Sequence, residues 1–330
     1  MNERFYALIV DKTEDNFSVD VKKIGMEELP QGEVLIKTAY SGINYKDGLA
    51  SIPDGKIVRS YPFIPGIDLA GTVVSSSDSR FQEGDEVIAT SYEIGVSHFG
   101  GYSEYARIPA DWIVPLPKGL TLKEAMIFGT AGFTAALSVQ RLEENGLQPD
   151  QGNVLVTGAT GGVGSFAVSM LAGRGYNVVA STGKDSEKDY LIKLGAKEIV
   201  SREDVYNGKI KALDKEQWAG AVDPVGGETL AAVLSKISYK GSVAVSGLTG
   251  GTNVPTSVFP FILRGVNLLG IDSVNCPMET RRKIWERMAT DLKPEDLSTF
   301  VQQTATLEEL PAILPTILQG KMRGRVIVSL

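Results

Sequence analysis

At 330 residues the chain is longer than a usual single domain, and with 43% hydrophobic and 22% charged residues it has material for two buried cores. A net charge of -7 gives no general attraction to nucleic acid or an anionic membrane, and no apolar run approaches the length of a transmembrane helix. One cysteine, Cys276, and one histidine, His98, rule out an intramolecular disulfide and leave a zinc site without its usual thiolate and imidazole ligands.

The start MNERFYALIV lacks the long apolar core and cleavage pattern of a signal peptide, so a cytoplasmic location is expected. The first third then alternates like β structure. Ala7 to Val10, Val34 to Tyr40, Leu69 to Ser75, Glu86 to Ala89 and Tyr102 to Ile108 are short β-prone runs separated by Gly, Pro, Asp and Ser. His98, in SHFGGYSEY, reads as a surface-loop histidine more readily than as a general base. Pro109 to Pro117 is a connector.

From Thr121 the pattern turns helical, over Leu122 to Ile127 and Gly132 to Glu143. Strands at Asn153 to Thr157, Val178 to Ser181, Glu198 to Val200, Gly220 to Asp223, Ser242 to Ser246 and Val266 to Ile271 then alternate with helical segments. Such alternation predicts a doubly wound parallel sheet covered on both faces. Cys276, followed at once by Pro277, reads as an ordinary loop thiol. An amphipathic segment, Glu279 to Leu292, a helix over Leu307 to Gln319 and a strand from Gly324 to Leu330 close the chain.

The stretch NVLVTGATGGVG, Asn153 to Gly164, stands between a predicted strand and a predicted helix. Gly161 and Gly164 fill the last two positions of a G-x-G-x-x-G pattern and Ala159 replaces the first glycine. In that context Gly161 and Gly162 let backbone N–H groups approach a pyrophosphate at the helix N-terminus, while Gly164 permits close helix–strand packing. A tight turn without a ligand is the alternative. An NAD site usually ends its second strand in Asp or Glu; here Ser181-Thr182-Gly183-Lys184 stands there instead. Thr182 and Lys184 suit the 2′-phosphate of NADPH, unless Lys184 is only a solvated charge.

The order of NYKD at Asn44 to Asp47, PGIDLAG at Pro65 to Gly71, GDEV at Gly84 to Val87, GGYSEYA at Gly100 to Ala106, the ATGGVG loop and DPVGG at Asp223 to Gly227 resembles the medium-chain dehydrogenases/reductases. SGINYKDGLA at Ser41 to Ala50 and VFPFILRGVNLLGIDSV at Val258 to Val274 narrow the likeness to the zinc-free quinone oxidoreductase branch and, within it, the acrylyl-CoA reductase group. The resemblance covers essentially the whole chain. It implies a GroES-like β-rich catalytic domain over residues 1–123, completed by 293–330, and a Rossmann NADPH-binding domain over 124–292. The metal-ligand positions of the zinc alcohol dehydrogenases fall here on the NYKD region and on Gly66-Ile67-Asp68, which offer neither thiolate nor imidazole, so no metal is expected.

The resemblance also implies site residues. Tyr45 borders the substrate end of the cofactor, where its hydroxyl donates a proton or hydrogen-bonds to the ribose or the substrate carbonyl; packing alone is the alternative. Asn44 joins it as a catalytic candidate, whereas Asp47 and Asp68 more readily orient a loop. Cofactor contacts are expected from Tyr45, Ala159, Thr160, Gly161, Gly162, Val163, Gly164, Ser181, Thr182, Gly183, Lys184, Arg202, Leu248, Ile262 and Ser273. Arg264, Arg323 and Arg325 are candidates for a coenzyme A phosphate. The implied activity is hydride transfer from NADPH to an electron-poor C=C bond, followed by a proton from Tyr45 or from water, with acrylyl-CoA as substrate. A quinone is the second acceptor, and a non-catalytic NADPH-binding redox sensor the rival class. The apolar segment Val266 to Val274 is expected at a sheet edge that pairs in a homodimer.

Overall fold

The computed structural model describes residues 4–330. They form two compact units. The first runs to Thr130 and resumes over Val274–Ala289 and Asp296–Leu330; the second comprises Ala131–Ser273 and Thr290–Glu295.

In the first unit β1 (Arg4–Lys12) pairs antiparallel with β2 (Phe17–Gly25). β3 (Val34–Gly42) leads into a short helix, α1 (Tyr45–Ala50), before β4 (Asp68–Ser76), β5 (Glu86–Thr90), β6 (Tyr105–Ile108) and β7 (Ile113–Pro115). Alternating apolar residues of these strands, among them Val34, Ile36, Leu69, Val73, Val87 and Ile113, meet in a core. Helix α2 (Leu122–Glu144) is broken at Gly129, whose φ of 50° and ψ of -156° are not helical. The break falls between the two helical segments expected there.

The second unit alternates strand and helix: β8 (Asn153–Val156), α3 (Gly162–Gly173), β9 (Asn177–Ser181), α4 (Lys188–Lys193), β10 (Glu198–Val200), α5 (Arg202–Val205), β11 (Trp218–Asp223), α6 (Gly227–Lys236), β12 (Ile237–Val245), α7 (Phe259–Arg264) and β13 (Asn267–Gly270). The six strands lie in the order β10-β9-β8-β11-β12-β13 and every pair is parallel. Strand order therefore reverses beside β8, so the loop after β8 leaves the sheet at its switch point, where such folds bind ligands. β11 is buried at every position, as a strand covered on both faces should be.

The chain returns to the first unit with α8 (Met278–Ala289), β14 (Val301–Ala305), α9 (Leu310–Leu318) and β15 (Arg325–Ser329). The larger sheet there runs β14-β15-β3-β4-β5-β7, with β6 also on β3. β15 is antiparallel to β3, Ile327 opposite Gly42. Among the described residues no helix is long and apolar enough to cross a membrane.

Three features differ from expectation. α1 replaces a turn: Gly48, a weak helix former, sits where a Cβ would lie 2.5 Å from Ile317 Cγ2 of α9, so tertiary packing rather than propensity makes this helix. β2, β7 and β14 are strands beyond those expected; in β2, Phe17, Val19 and Val21 alternate with polar residues as in a half-buried strand, whereas β7 is only three residues long and β14 is mostly polar. The boundary also moves, because α8 belongs to the first unit; its Arg281 is fully buried and donates to the carbonyls of Thr90 and Val274.

Candidate active site

In the second unit the glycines after β8 do different work. Gly158 has φ 54°, the left-handed region that turns the chain sharply. A Cβ on Gly164 would lie 2.3 Å from the carbonyl oxygen of Gly158 and 2.7 Å from Ala159 Cα, so the first turn of α3 rests directly on the loop. A Cβ on Gly161 would meet only Gly158 O, at 3.4 Å. The protein's own packing asks for glycine at 164 but scarcely at 161, which leaves the backbone around Gly161 open to a ligand. Ala159 N donates to Ser181 O, tying the loop to the end of β9, and Ala159 and Thr160 are buried while Val163 is half-buried. On the other side Asp223, at the end of β11, accepts from Thr157 Oγ1 and from Gly226 N. Burial pushes the Asp223 carboxyl up despite these bonds. This tie between adjacent strand ends was not foreseen, although DPVGG marked the place.

Thr182, Gly183, Lys184 and Arg202 come together beyond β9. A Cβ on Gly183 would lie 2.8 Å from Arg202 Nε, so the guanidinium lies across this glycine. Burial lowers the Lys184 pKa; nearby Glu187 opposes the shift and Arg202 adds to it. Thr182 Oγ1 accepts from Lys184 N at 3.0 Å, fixing the turn. Two cations held near each other at the end of the second strand suit a phosphate, not a bare ribose hydroxyl. Elsewhere in this unit Leu248 and Ile262 are exposed and Ser273 is nearly buried.

In the first unit Tyr45 opens α1 and is 41% exposed, whereas the residues around it form a buried polar wall. Asp47 Oδ2 accepts from Asn44 N at 2.8 Å and its Oδ1 from Ile67 N at 2.9 Å. Asp68 accepts from Asn44 Nδ2, Thr130 N and Thr130 Oγ1, and Thr130 Oγ1 lies 3.1 Å from Ser91 Oγ. Both aspartates are fully buried. Burial, reinforced by the Asp68 charge, raises the Asp47 pKa to about 7, so the group expected only to orient its neighbours also titrates near neutrality. Burial likewise pushes the Tyr102 phenol up, with Asp47 adding to the shift, and its hydroxyl donates to Gly42 O at 3.2 Å.

Several expectations need correction. Arg325 is 3% exposed and cannot meet a coenzyme A phosphate; its Nε donates to Ile127 O and its Nη1 to Ile43 O and Asn44 Oδ1, while Nη2 faces Asp68 at 3.7 Å. Arg264 is spent on the carbonyls of Asp214, Ser235 and Ile237 and on Glu216, which it meets at 3.3 Å. Asn44, a catalytic candidate in sequence, has both ends of its amide engaged, by Asp68 and Arg325, and is 8% exposed. Arg323 is half-buried beside β14, its main-chain N–H donating to Gln302. His98 is not a solvated loop residue: its ring stands edge-on to Trp112, Nε2 contacts Arg107 O at 2.7 Å, and burial lowers its pKa. Cys276 is buried.

Two family models match the chain: the alcohol dehydrogenase GroES-like domain over residues 30–118 and the zinc-binding dehydrogenase domain over 162–290. The Bacillus subtilis protein YhfP, provisionally named a quinone oxidoreductase, is 66% identical over the whole of both chains. Its crystal structure with NAD bound superimposes with a TM-score of 0.97, covering 99% of this chain and 100% of that one. The acrylyl-CoA reductase AcuI of Ruegeria pomeroyi is 50% identical, covering 98% of this chain and 99% of its own. The YhdH oxidoreductase of Salmonella enterica, crystallised with NADP, is 44% identical with a TM-score of 0.95, over 98% and 99% of the two chains. Zinc, which one of these descriptions mentions, does not suit the residues present. Asp68 is already saturated by three donors and faced by a guanidinium, and among the described residues no cluster of three or more His, Cys, Asp or Glu is placed to hold a metal.

Proposed function

Because the chain belongs to the medium-chain dehydrogenase/reductase superfamily, in its quinone oxidoreductase group, we propose that it is an NADPH-dependent reductase of electron-poor carbon–carbon double bonds with acrylyl-CoA as substrate. The observation that carries the cofactor choice is the seat of Arg202 across Gly183, beside Lys184 and Thr182. These residues hold the 2′-phosphate, and the backbone around Gly161, at the N-terminus of α3, holds the pyrophosphate. Val163, Leu248, Ile262 and Ser273 complete the cofactor contacts in this reading.

When bound, the nicotinamide supplies a hydride to the β-carbon of the acceptor. The protein orients the acceptor and exposes a donor to the other carbon: Tyr45, carried at the start of α1 with its ring partly exposed, delivers a proton to the α-carbon as negative charge leaves the thioester enolate. Asn44, Asp47 and Asp68 hold the turn that presents it. The charge left by hydride attack is delocalised by the thioester carbonyl itself, so the chemistry asks for no metal. Arg323 is our remaining candidate for a coenzyme A phosphate.

The cation pair favours NADPH over the NAD seen in YhfP, and that relative's name favours a quinone as the second acceptor. Mixing the protein with NADPH and either acrylyl-CoA or a benzoquinone, and following loss of the reduced nicotinamide absorbance, separates the readings. Propionyl-CoA formation at a higher kcat/KM than quinone reduction is expected. Turnover of quinone alone would move the substrate class, and tight NADPH binding without turnover of either would make the protein a sensor.

We place the enzyme in the cytoplasm as a homodimer. β13 ends its sheet, and Leu268 on it, with Val258, Phe259, Ile262 and Leu263 in and beside α7, is exposed. An apolar sheet edge of this kind calls for a partner strand. Sedimentation of the Leu268→Lys variant as a monomer, against a dimeric parent, is the check.

A further inference from the structure

The guanidinium of Arg325 is the point on which the polar wall of the first unit closes. It stands at the start of β15, and its fork reaches three separate segments: Ile127 O just before the break in α2, Ile43 O and Asn44 Oδ1 just before α1, and Asp68 at the start of β4. Two neighbouring positions are kept free of side chains around it. A Cβ on Gly42 would lie 2.6 Å from Arg325 Nη2, and one on Gly129 would lie 2.7 Å from the same nitrogen and 2.5 Å from Asp68 Oδ2. Gly129 also has the positive φ that breaks α2 here.

Stability alone does not explain such an arrangement. A buried ion pair contributes little net stability against apolar residues of the same volume, because two charges leave water to make it. What the fork supplies is geometry: a planar group with five donors fixes several acceptors at set angles, which an aliphatic residue or a lysine cannot do. The acceptors it fixes are the carbonyl of Ile43 and the amide of Asn44, the two residues immediately before Tyr45.

We propose that Arg325 is a positioning residue for the reduction, acting through Tyr45: it ties the Ile43 carbonyl and the Asn44 side-chain amide to Ile127 O at the α2 break, with its charge facing Asp68, and so sets where the Tyr45 hydroxyl is presented. The inference rests on Tyr45 being the proton donor. Arg325 itself, fully enclosed, touches neither substrate nor cofactor.

The test is a double-mutant cycle on acrylyl-CoA reduction with Arg325→Lys, Tyr45→Phe and the pair, with NADPH affinity and circular dichroism measured in parallel. Arg325→Lys keeps the charge beside Asp68 and loses the fork. A misplacement of the donor by about 1 Å corresponds to a fall in kcat of roughly 10-fold to 100-fold, with NADPH affinity changed less than about twofold. The double variant is expected to be no slower than the slower single variant, since both changes disable the same group. A folded Arg325→Lys enzyme with the parent's kcat, or losses that multiply in the pair, would overturn the proposal. If Arg325→Lys does not fold, Asn44→Ala, which cuts the side-chain link between clamp and turn, takes its place in the cycle with the same outcomes. Failure of the Tyr45 reading shows separately, as a Tyr45→Phe enzyme with unchanged kcat.

Discussion

The loop after β8 and the wall around Asp68 both prepare a place for chemistry, by opposite means. The loop works by omission: glycines at 158, 161 and 164 give the backbone a sharp turn, an open face and a close helix contact, and no side chain of the loop carries charge. The wall works by linkage: hydrogen bonds join Asn44 to Asp47, Asp68 and Arg325 and join Asp68 to Thr130, all of them buried except the half-buried Thr130, while Arg325 Nη2 makes no hydrogen bond and faces Asp68 at 3.7 Å. A backbone site fails when an atom is added, whereas a side-chain network fails when one is taken away or changes protonation.

The largest effects should come from additions to the loop, and they should separate two glycines. Gly164→Val drives a side chain into Gly158 O and Ala159 Cα, and we expect it to cost the second unit more than about 4 kcal/mol, seen as loss of its cooperative melt. Gly161→Val has room within the protein. It should keep the parent's melt while NADPH affinity, read by fluorescence quenching, drops by roughly 100-fold as charged hydrogen bonds are lost. Equal melting losses in the two variants would erase the distinction between packing glycine and binding glycine.

Next in size is the cation pair. Lys184→Ala with Arg202→Ala removes two charge-assisted contacts, so the ratio of NADPH to NADH in kcat/KM should fall by about 100-fold, mostly through KM. An unchanged ratio would mean that selectivity lies elsewhere.

The last effect is electrostatic and belongs to the wall. Asp47 titrates at about 7 in the fold against an ordinary 3.8, so between those values the folded chain binds the extra proton. The associated stability is fully present below the ordinary value and is lost as pH rises through about 7, after which the curve flattens. Urea unfolding at several pH values across that window should show this decline, and Asp47→Asn should weaken it. A decline of equal slope in the variant would move its origin to another group.

The same contrast explains what could be read from sequence. β8, β10 and the ATGGVG turn are legible because apolar β-branched runs and glycine spacing are local signals, and the break at Gly129 shows as a gap between two helical segments. Lys184 was legible as a cation where a carboxylate is usual. That Arg202 lies over Gly183 was not, because the contact joins the ends of two different strands. Arg325 was misjudged for the same reason: near the end of the chain it resembles any surface arginine, and only the pairing of β15 with β3 carries it to Ile43 and Asn44. α1 hid behind its glycine, whose cause is the approach of α9.

The central claim, an enoyl reduction finished by a proton from Tyr45, is tested most directly in D₂O on an α-methyl-substituted 2-enoyl-CoA with NADPH. The parent enzyme should place one deuterium on the α-carbon in a single configuration, and Tyr45→Phe should lower kcat by roughly 100-fold with little change in KM for NADPH. A Tyr45→Phe enzyme that turns over at the parent's rate and gives product of the same configuration would contradict the account.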